Sequence, residues 1–349
     1  MTDFLLFALV LGALIVGHEF GHFIAARLTN VKVKEFGLGF PPRLVTLFTA
    51  GGTRFTLNLI PLGGFVRPVG EDDPTVEGGL AGANKRTRAA VLIAGPLANI
   101  FLAMLAFSAA YKFAAPDPER VLITSVEPGS PAASAGVMRN DIILAVDQIE
   151  INDFDILQVA INDRLGVSTT LYVQRGEDIL SLPMTPRLEP PEGQGPVGIT
   201  LGNPTRAVGW IEAIGLGLNS TRFQFAEMVH LPSRLIRGEL EPEQARISGL
   251  KGMYDMMVWA GQIDRTSQRP FLTLNLIGVI SAGLALANLL PIPALDGGRL
   301  MFVAFEAVFG RRVPPQHEGL AHTLGFMVLL ALIIYVNLQD FINPIALPR

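Results

Sequence analysis

Four long apolar blocks alternate with more polar stretches along the chain. A membrane span takes about 20 mostly apolar residues, and each block is of that length. The blocks predict four transmembrane helices, within residues 1–30, 89–115, 271–298 and 322–342. A cleaved signal peptide is the alternative for the first block. The start Met1-Thr2-Asp3 lacks the positive charge typical of such peptides, which favours a membrane span.

Basic residues are concentrated in two of the connecting segments. Between spans one and two lie Lys32, Lys34, Arg43, Arg54, Arg67, Lys85, Arg86 and Arg88, and between spans three and four lie Arg299, Arg311 and Arg312. Short loops rich in Lys and Arg remain in the cytoplasm. We therefore expect a multi-pass protein of the cell membrane, with both termini and the segment between spans two and three outside the cytoplasm.

The outside segment changes to short alternating runs separated by turn residues. We predict strands at Val121–Val126 and Ile142–Val146, and a hairpin around Arg175-Gly176. The run from Val126 through Pro128-Gly129-Ser130-Pro131 to Asp141-Ile142-Ile143 resembles the PDZ domains of bacterial proteases. The resemblance implies a PDZ-like α+β domain at 120–188 that binds peptide termini; a domain that only fills space near the membrane is the alternative.

The remaining connections have patterns of their own. Apolar residues at helical spacing from Ile211 to Met228 predict an amphipathic helix within an extracytoplasmic region at 189–270. Residues 299–321 read as a cytoplasmic loop. Glycine-broken strands within 31–88 predict a β-hairpin, either in the cytoplasm or re-entering the membrane.

Composition narrows the range of functions. The net charge of −4, with no basic block, argues against nucleic-acid binding. The absence of cysteine excludes disulfides, thiolate metal sites and cysteine nucleophiles. Any metal must therefore be held by His, Asp, Glu or Asn, and the chain has only five histidines.

One metal-binding motif lies inside the first span. His18-Glu19-Phe20-Gly21-His22 has the form H-E-x-x-H. On a helix, positions i and i+4 share a face, so both imidazoles can bind one zinc ion, and Glu19 can act as general base toward a zinc-bound water. Ionisable residues within a span are costly and mark functional sites. The alternative is a polar seam in which the three residues pair with one another.

A catalytic zinc site needs a third protein ligand. The second span has no carboxylate, and the fourth has only His322 and Asp340 at its ends. The third span ends in a segment broken by Pro291, Pro293, Gly297 and Gly298, and this segment carries Asp296. Asp296 is therefore the candidate third ligand; it could also cap a following helix at Arg299–Phe309.

These motifs together resemble the site-2 protease family, most closely the bacterial regulator-of-sigma-factor intramembrane zinc metalloproteases. The motifs are H-E-x-x-H, Gly95-Pro96-Leu-Ala-Asn99, Asn288…Pro291…Leu295-Asp296-Gly297 and the inserted PDZ-like run. The resemblance implies one Zn²⁺ per chain, bound by His18, His22 and Asp296, with Glu19 as general base. It implies that Asn288 and Pro291 contact the substrate strand.

The hairpin fits the same resemblance, because relatives place such a hairpin in the membrane beside the active site. An exposed sheet edge can pair with an unwound substrate and satisfy its backbone. We expect Gly63 and Gly64 of this hairpin to contact the substrate.

The sequence thus predicts a polytopic α-helical membrane protein with a membrane-associated β-hairpin and an inserted PDZ-like domain. Its predicted function is cleavage of single-span membrane proteins, such as anti-sigma factors or signal-peptide remnants. Two departures from relatives bear on substrate gating: a single legible PDZ domain, and Gly249-Leu-Lys-Gly252-Met where relatives have Gly-Pro-Val-Gly-Ile. A proteolytically inactive PDZ scaffold and a metal transporter are the alternatives.

Overall fold

The computed structural model describes most of the chain. It describes residues 2–71, 73–239, 246, 248–267, 269–345 and 347. Residues 240–245, 247 and 268, which belong to the predicted helical region at 189–270, lie outside the described part. The described residues form two compact units, one made of Met1–Phe113 and Gly209–Arg349 and the other of Ala114–Val208.

The first unit contains four helices that are long and apolar enough to cross a membrane, as predicted. They are α1 (Thr2–Leu28), α2 (Lys85–Ala114), α7 (Phe271–Leu289) and α9 (Pro315–Ile342). Large apolar side chains on α9 are exposed, among them Phe326, Val328 and Tyr335. Such a surface is suited to lipid contact rather than to water.

Three further helices belong to the same unit. They are α5 (Trp210–Ile236), α6 (Leu250–Ser267) and α8 (Asp296–Phe309). The helix α8 occupies the first part of the segment 299–321, which we expected to be a cytoplasmic loop, and it includes the helix at Arg299–Phe309 that we considered beside it. The residue preceding it, Leu295, takes the N-cap position without a side-chain hydrogen bond, so Asp296 does not cap α8.

A core of apolar side chains joins helices that are distant in sequence. Phe7, Leu11 and Leu14 of α1 pack with Met257 of α6 and Ile280 of α7. The side-chain rings of Phe7 and Tyr254 meet edge to face, with centroids 5.7 Å apart. This packing holds the amino-terminal half of α1 against α6 and α7.

The hairpin between α1 and α2 consists of β1 (Val33–Ala50) and β2 (Thr53–Pro68). It differs from a simple hairpin because β2 pairs with both sides of β1. Glu35 lies opposite Arg54 on one side and opposite Arg67 on the other. Residues 33–40 are therefore flanked on one side by the start of β2 and on the other by residues 60–68. Within the described residues, no other strand pairs with the far side of residues 60–68.

The second unit is a small α+β fold with its own core. Its sheet has the order β7-β6-β4-β3-β8, with β5 paired to β4, and this six-stranded sheet is consistent with the predicted PDZ-like domain. The strands are β3 (Val121–Val126), β4 (Ile142–Val146), β5 (Ile149–Glu150), β6 (Thr169–Arg175), β7 (Asp178–Met184) and β8 (Ile199–Gly202). Two helices complete it, α3 (Pro131–Ser134) and α4 (Phe154–Asn162).

The edge strand β8 lies beyond the boundary at residue 188 that we predicted for this domain. A four-residue strand after a stretch rich in Pro and Gly gives little periodic signal. Its place in the sheet depends on pairing with β3, where Ile123 lies opposite Leu201.

Candidate metal centre

The side chains of His18 and His22 lie on one face of α1, one helical turn apart. They face α2 at Gly95, where an added Cβ would collide with both imidazole rings. Close approach of the two helices also depends on Gly21, whose added Cβ would collide with the Ala94 carbonyl. Small residues at the α1–α2 contact thus make room for the two rings.

Asp296 reaches these rings from the other end of the chain. Its Oδ2 lies 3.1 Å from Nε2 of His18 and 3.2 Å from Nε2 of His22, and the two Nε2 atoms are 3.2 Å apart. Within the described part of the chain, this is the one group of three His, Asp or Glu residues that could hold a metal ion.

The broken segment between α7 and α8 presents Asp296. An added Cβ at Gly297 or Gly298 would collide with the carbonyls of Leu289, Leu290 or Ile292, so the chain can fold back here only with glycine. Ala294 has a φ of +83°, which is unusual for a residue with a Cβ. Its backbone N–H donates to Nδ1 of His322 on α9, at 2.8 Å. His322, considered above as a ligand, therefore supports the segment that carries the ligand.

The arrangement fits a zinc ion. Ligand atoms about 2.0–2.1 Å from a tetrahedral zinc lie about 3.3 Å from one another, close to the three separations observed. Two imidazole nitrogens and one carboxylate oxygen are ligands that zinc accepts, and a catalytic site leaves one position open. The three groups also border a cavity of about 440 Å³, from which a further ligand could approach.

Glu19 lies beside the three groups and lines the same cavity. Its Oε2 accepts a hydrogen bond of 3.0 Å from the backbone N–H of Val66, on the outer edge of β2. Its carboxylate is thus fixed between the predicted metal ligands and the edge of the hairpin.

The other predicted residues are placed differently from one another. Asn288 and Gly64 line the cavity, and Gly63 precedes Gly64 on β2 with a φ of +89°. Pro291 is exposed and is not among the described residues that line the cavity. The structure thus places Asn288 and Gly64, but not Pro291, in the wall of the cavity that the metal ligands border.

Two charged residues of the cavity wall were missed from the sequence. Arg299, one turn after Asp296 on α8, forms an ion pair of 2.5 Å with Glu71, which follows β2. Because Arg299 lies one helical turn after Asp296, its position in the sequence could have indicated that it lies in the cavity wall. The partner Glu71 is 228 positions away and no local pattern connects the two.

A second pair of contacts was also missed. Nδ1 of His22 lies 2.7 Å from the carbonyl oxygen of Val91. In the tautomer that leaves Nε2 free to bind a metal, Nδ1 carries the proton and donates it to this carbonyl in a hydrogen bond. Nδ1 of His18 lies 3.3 Å from the side-chain nitrogen of Asn99. Both partners belong to α2, on the same face as Gly95.

The site consists of an H-E-x-x-H motif on a membrane helix and a carboxylate that meets both of its histidines beside a cavity. These features define a membrane-embedded, metal-dependent hydrolase. Residues 6–332 of the sequence match the model of the family described as Peptidase family M50. This chain therefore belongs to peptidase family M50, the site-2 protease family of intramembrane zinc metalloproteases, which confirms the resemblance described above.

Individual relatives match along almost the whole chain. Most of those compared are named as putative zinc metalloproteases, including one from Agrobacterium fabrum and one from Rhizobium meliloti. The one from Agrobacterium fabrum is 30% identical, with 96% of this chain and 94% of the relative aligned. The one from Rhizobium meliloti is 32% identical, with 96% and 95% aligned. Zinc metalloprotease RasP of Oceanobacillus iheyensis is 26% identical, with 97% and 99% aligned.

Proposed function

We propose that the chain is a zinc endopeptidase that cleaves transmembrane segments of single-span membrane proteins, with His18, His22 and Asp296 as the ligands of one zinc ion. The observation that carries the proposal is the triangle of Nε2 and Oδ2 atoms, 3.1–3.2 Å on each side. When bound there, zinc supplies Lewis-acid chemistry, since it polarises a carbonyl and lowers the pKa of a water ligand toward 7.

Glu19 acts as the general base. Its carboxylate takes a proton from the attacking water and then transfers it to the leaving amine nitrogen, as a positioned base does in peptide hydrolysis. Its hydrogen bond from Val66 leaves the second carboxylate oxygen for this task. A preorganised base of this kind contributes about 10²–10⁴-fold to the rate.

The substrate binds as an extended strand along the outer edge of residues 60–68. A helix keeps its carbonyls hydrogen-bonded internally, so the cleaved segment must first unwind. Strand addition then satisfies its backbone. The N–H of Gly64 points to the same edge as that of Val66, because alternate residues of a strand share a side. Asn288 also lines the cavity, and we infer that it contacts this substrate strand.

The orientation follows from the basic loops. We infer that the termini and the Ala114–Val208 unit lie outside the cytoplasm, and that the cleavage site lies near the cytoplasmic end of α1. No further strand of the described chain pairs with the outer edge of β8, and this edge is suited to binding an extended peptide terminus. Such binding would let this unit select substrates already cut outside, such as anti-sigma factors or signal-peptide remnants.

The rival hypotheses are less well supported. An inactive scaffold has no use for the complete set of ligands and base. A transporter needs successive binding positions, and the described residues contain one such ligand group.

The test is Glu19→Gln, measured for zinc content and for cleavage of a single-span test substrate in proteoliposomes. We expect zinc to be retained and cleavage to fall by at least about 100-fold. Glu227→Gln on α5 is the matched control and should retain both. Undiminished cleavage by Glu19→Gln would contradict the assignment of the base.

A further inference from the structure

Three residues of α2 form a stripe that faces the two histidines. Val91, Gly95 and Asn99 follow one another at intervals of four and therefore share a face. Val91 offers its carbonyl to His22 and Gly95 leaves room for both rings, as described above. Asn99 completes the stripe opposite His18.

Asn99 is fixed in place and almost completely buried. Only 1% of its surface is exposed. Its backbone carbonyl accepts a hydrogen bond of 2.8 Å from the hydroxyl of Ser281, a fully buried residue of α7. Its side-chain Oδ1 has no hydrogen-bond partner within the described residues. A buried amide oxygen without a partner is destabilising.

The chemistry of a zinc ligand determines which atom of Asn99 must face His18. A neutral imidazole that binds metal through Nε2 carries its proton on Nδ1 and needs an acceptor there. The amide nitrogen, now 3.3 Å from Nδ1, is a donor and cannot accept a hydrogen bond from Nδ1–H. A half-turn of the amide exchanges its nitrogen and oxygen, and places Oδ1 at this position.

We propose that Asn99 is a positioning residue that accepts a hydrogen bond from Nδ1–H of His18 through Oδ1, and so fixes the ring with Nε2 toward the metal. This inference rests on the metal site proposed above. Such partners of a ligating histidine set its tautomer and orientation, and their loss weakens metal binding by about 10–100-fold.

The experiment measures the zinc dissociation constant of the full-length protein in detergent, by competition with a chromophoric chelator. Asn99→Leu has a similar volume but no acceptor, and we expect about 10–100-fold weaker binding. Asn99→Asp retains an acceptor and loses the NH₂ group, and should bind zinc at least as tightly as the wild type. Ser108→Ala, which removes another buried polar group of α2, is the control and should leave binding unchanged.

The visible absorption of the cobalt-loaded protein provides a second measurement. We expect an altered ligand-field spectrum for Asn99→Leu, and spectra like that of the wild type for Asn99→Asp and Ser108→Ala. Wild-type affinity in Asn99→Leu would overturn the inference. Weakened binding in Asn99→Asp would also overturn it, and decides the question even if Asn99→Leu does not fold. A wild-type protein that binds no zinc would contradict the metal site itself.

Discussion

The backbone N–H of Val66 donates a hydrogen bond of 3.0 Å to Oε2 of Glu19. This contact joins the edge of the membrane-associated hairpin to the carboxylate beside the predicted zinc ligands. A substrate strand paired to that edge would therefore pass directly by Glu19. The peptide N–H of Val66 thus connects the proposed general base, Glu19, directly to the proposed substrate-binding edge.

The first prediction concerns Gly64, two residues before Val66. An added Cβ there would lie 3.1 Å from the carbonyl of Gly37 and 3.5 Å from Cγ of Glu19. We expect Gly64→Val to lower kcat/KM for a transmembrane substrate by about tenfold or more, which corresponds to about 1.4 kcal/mol, and to leave zinc content unchanged. Gly12→Ala on α1, where an added Cβ meets nothing within 4 Å, is the control. Equal activity of the two variants would argue against substrate binding at this edge.

The second prediction concerns the carboxylate ligand. Asp296→Ala leaves two imidazoles, which bind zinc far less tightly than three ligands do. We expect a loss of affinity on the order of 100-fold or more, since even an outer partner of a ligand accounts for about 10–100-fold. The loss of affinity is measured as the amount of zinc that the protein retains after dialysis against a chelator. Asp255→Ala, which removes a carboxylate paired with Lys251 on α6, should retain its zinc. Full retention by Asp296→Ala would exclude Asp296 as a ligand.

The third prediction concerns the support of Asp296 by α9. His322→Leu removes the acceptor for the N–H of Ala294, in a segment already at a φ of +83°. Loss of the acceptor leaves this partly buried N–H unpaired, which costs at most about 1–3 kcal/mol. We expect the looser segment to bind zinc about tenfold more weakly. The neighbouring Thr323→Ala removes an exposed hydroxyl that bonds only within α9, and serves as the control. If both variants bind zinc equally well, the contact does not position Asp296.

Local pattern sufficed for the four spans and for three of the site residues. A membrane span can be recognised from the length and apolar composition of a segment. His18, Glu19 and His22 lie within about one helical turn, so their spacing in the sequence shows that they are neighbours. Asp296 could be inferred because few carboxylates lie near the ends of the other spans. Its approach to His18 joins positions 278 residues apart, and the sequence predicted it only through the requirements of the metal.

Features that depend on long-range contacts had no such signal. β8 exists as a strand because β3 offers it an edge. Asn99 belongs to a motif quoted above, but its contact with His18 exists only because α1 packs against this face of α2. The sequence indicated a helix at Arg299–Phe309, but the start of α8 at Asp296 depends on the fold-back of the chain at Gly297 and Gly298. These relationships are set by tertiary packing rather than by the residues' own preferences.

The fourth prediction concerns pH and the Ala114–Val208 unit. A hydrogen bond from the backbone N–H of Thr170, with others from the Thr169 hydroxyl and Arg164, lowers the pKa of Asp147 below its ordinary value. A lowered pKa in the folded state means that the ionised carboxylate stabilises the fold above its unfolded pKa of about 3.9. This stabilisation is lost as the pH falls through the folded value.

Asp147→Asn tests this dependence, because Asn tolerates the φ of +52° at this position. At pH 6 we expect faster hydrogen exchange of the β6 amides than in the wild type, by an amount that corresponds to about 1 kcal/mol for a partly exposed charge. The difference should begin to shrink as the pH falls below about 4 and should be smallest below the lowered pKa of folded Asp147, where the aspartic acid is as neutral as the asparagine. Asp155→Asn, on the first turn of α4, is the control. A difference that stays constant down to pH 3 would exclude the charge as its cause.

The last prediction concerns Asp340, near the end of α9, which is 1% exposed. Its carboxylate accepts hydrogen bonds from the backbone N–H groups of Gly249 and Gly252, at 2.8 and 2.9 Å, and from Arg246 at 2.8 Å. It thereby caps the first turn of α6 from another helix, which no local capping pattern would reveal. Removal of one partner from a buried, charged network costs about 3–5 kcal/mol. For Asp340→Ala we therefore expect rapid hydrogen exchange at the start of α6 and a lower unfolding temperature, whereas Asp340→Asn, which keeps one acceptor, should be less affected. Exchange in α6 that is no faster in Asp340→Ala than in Asp255→Ala would show that α6 does not depend on this cap.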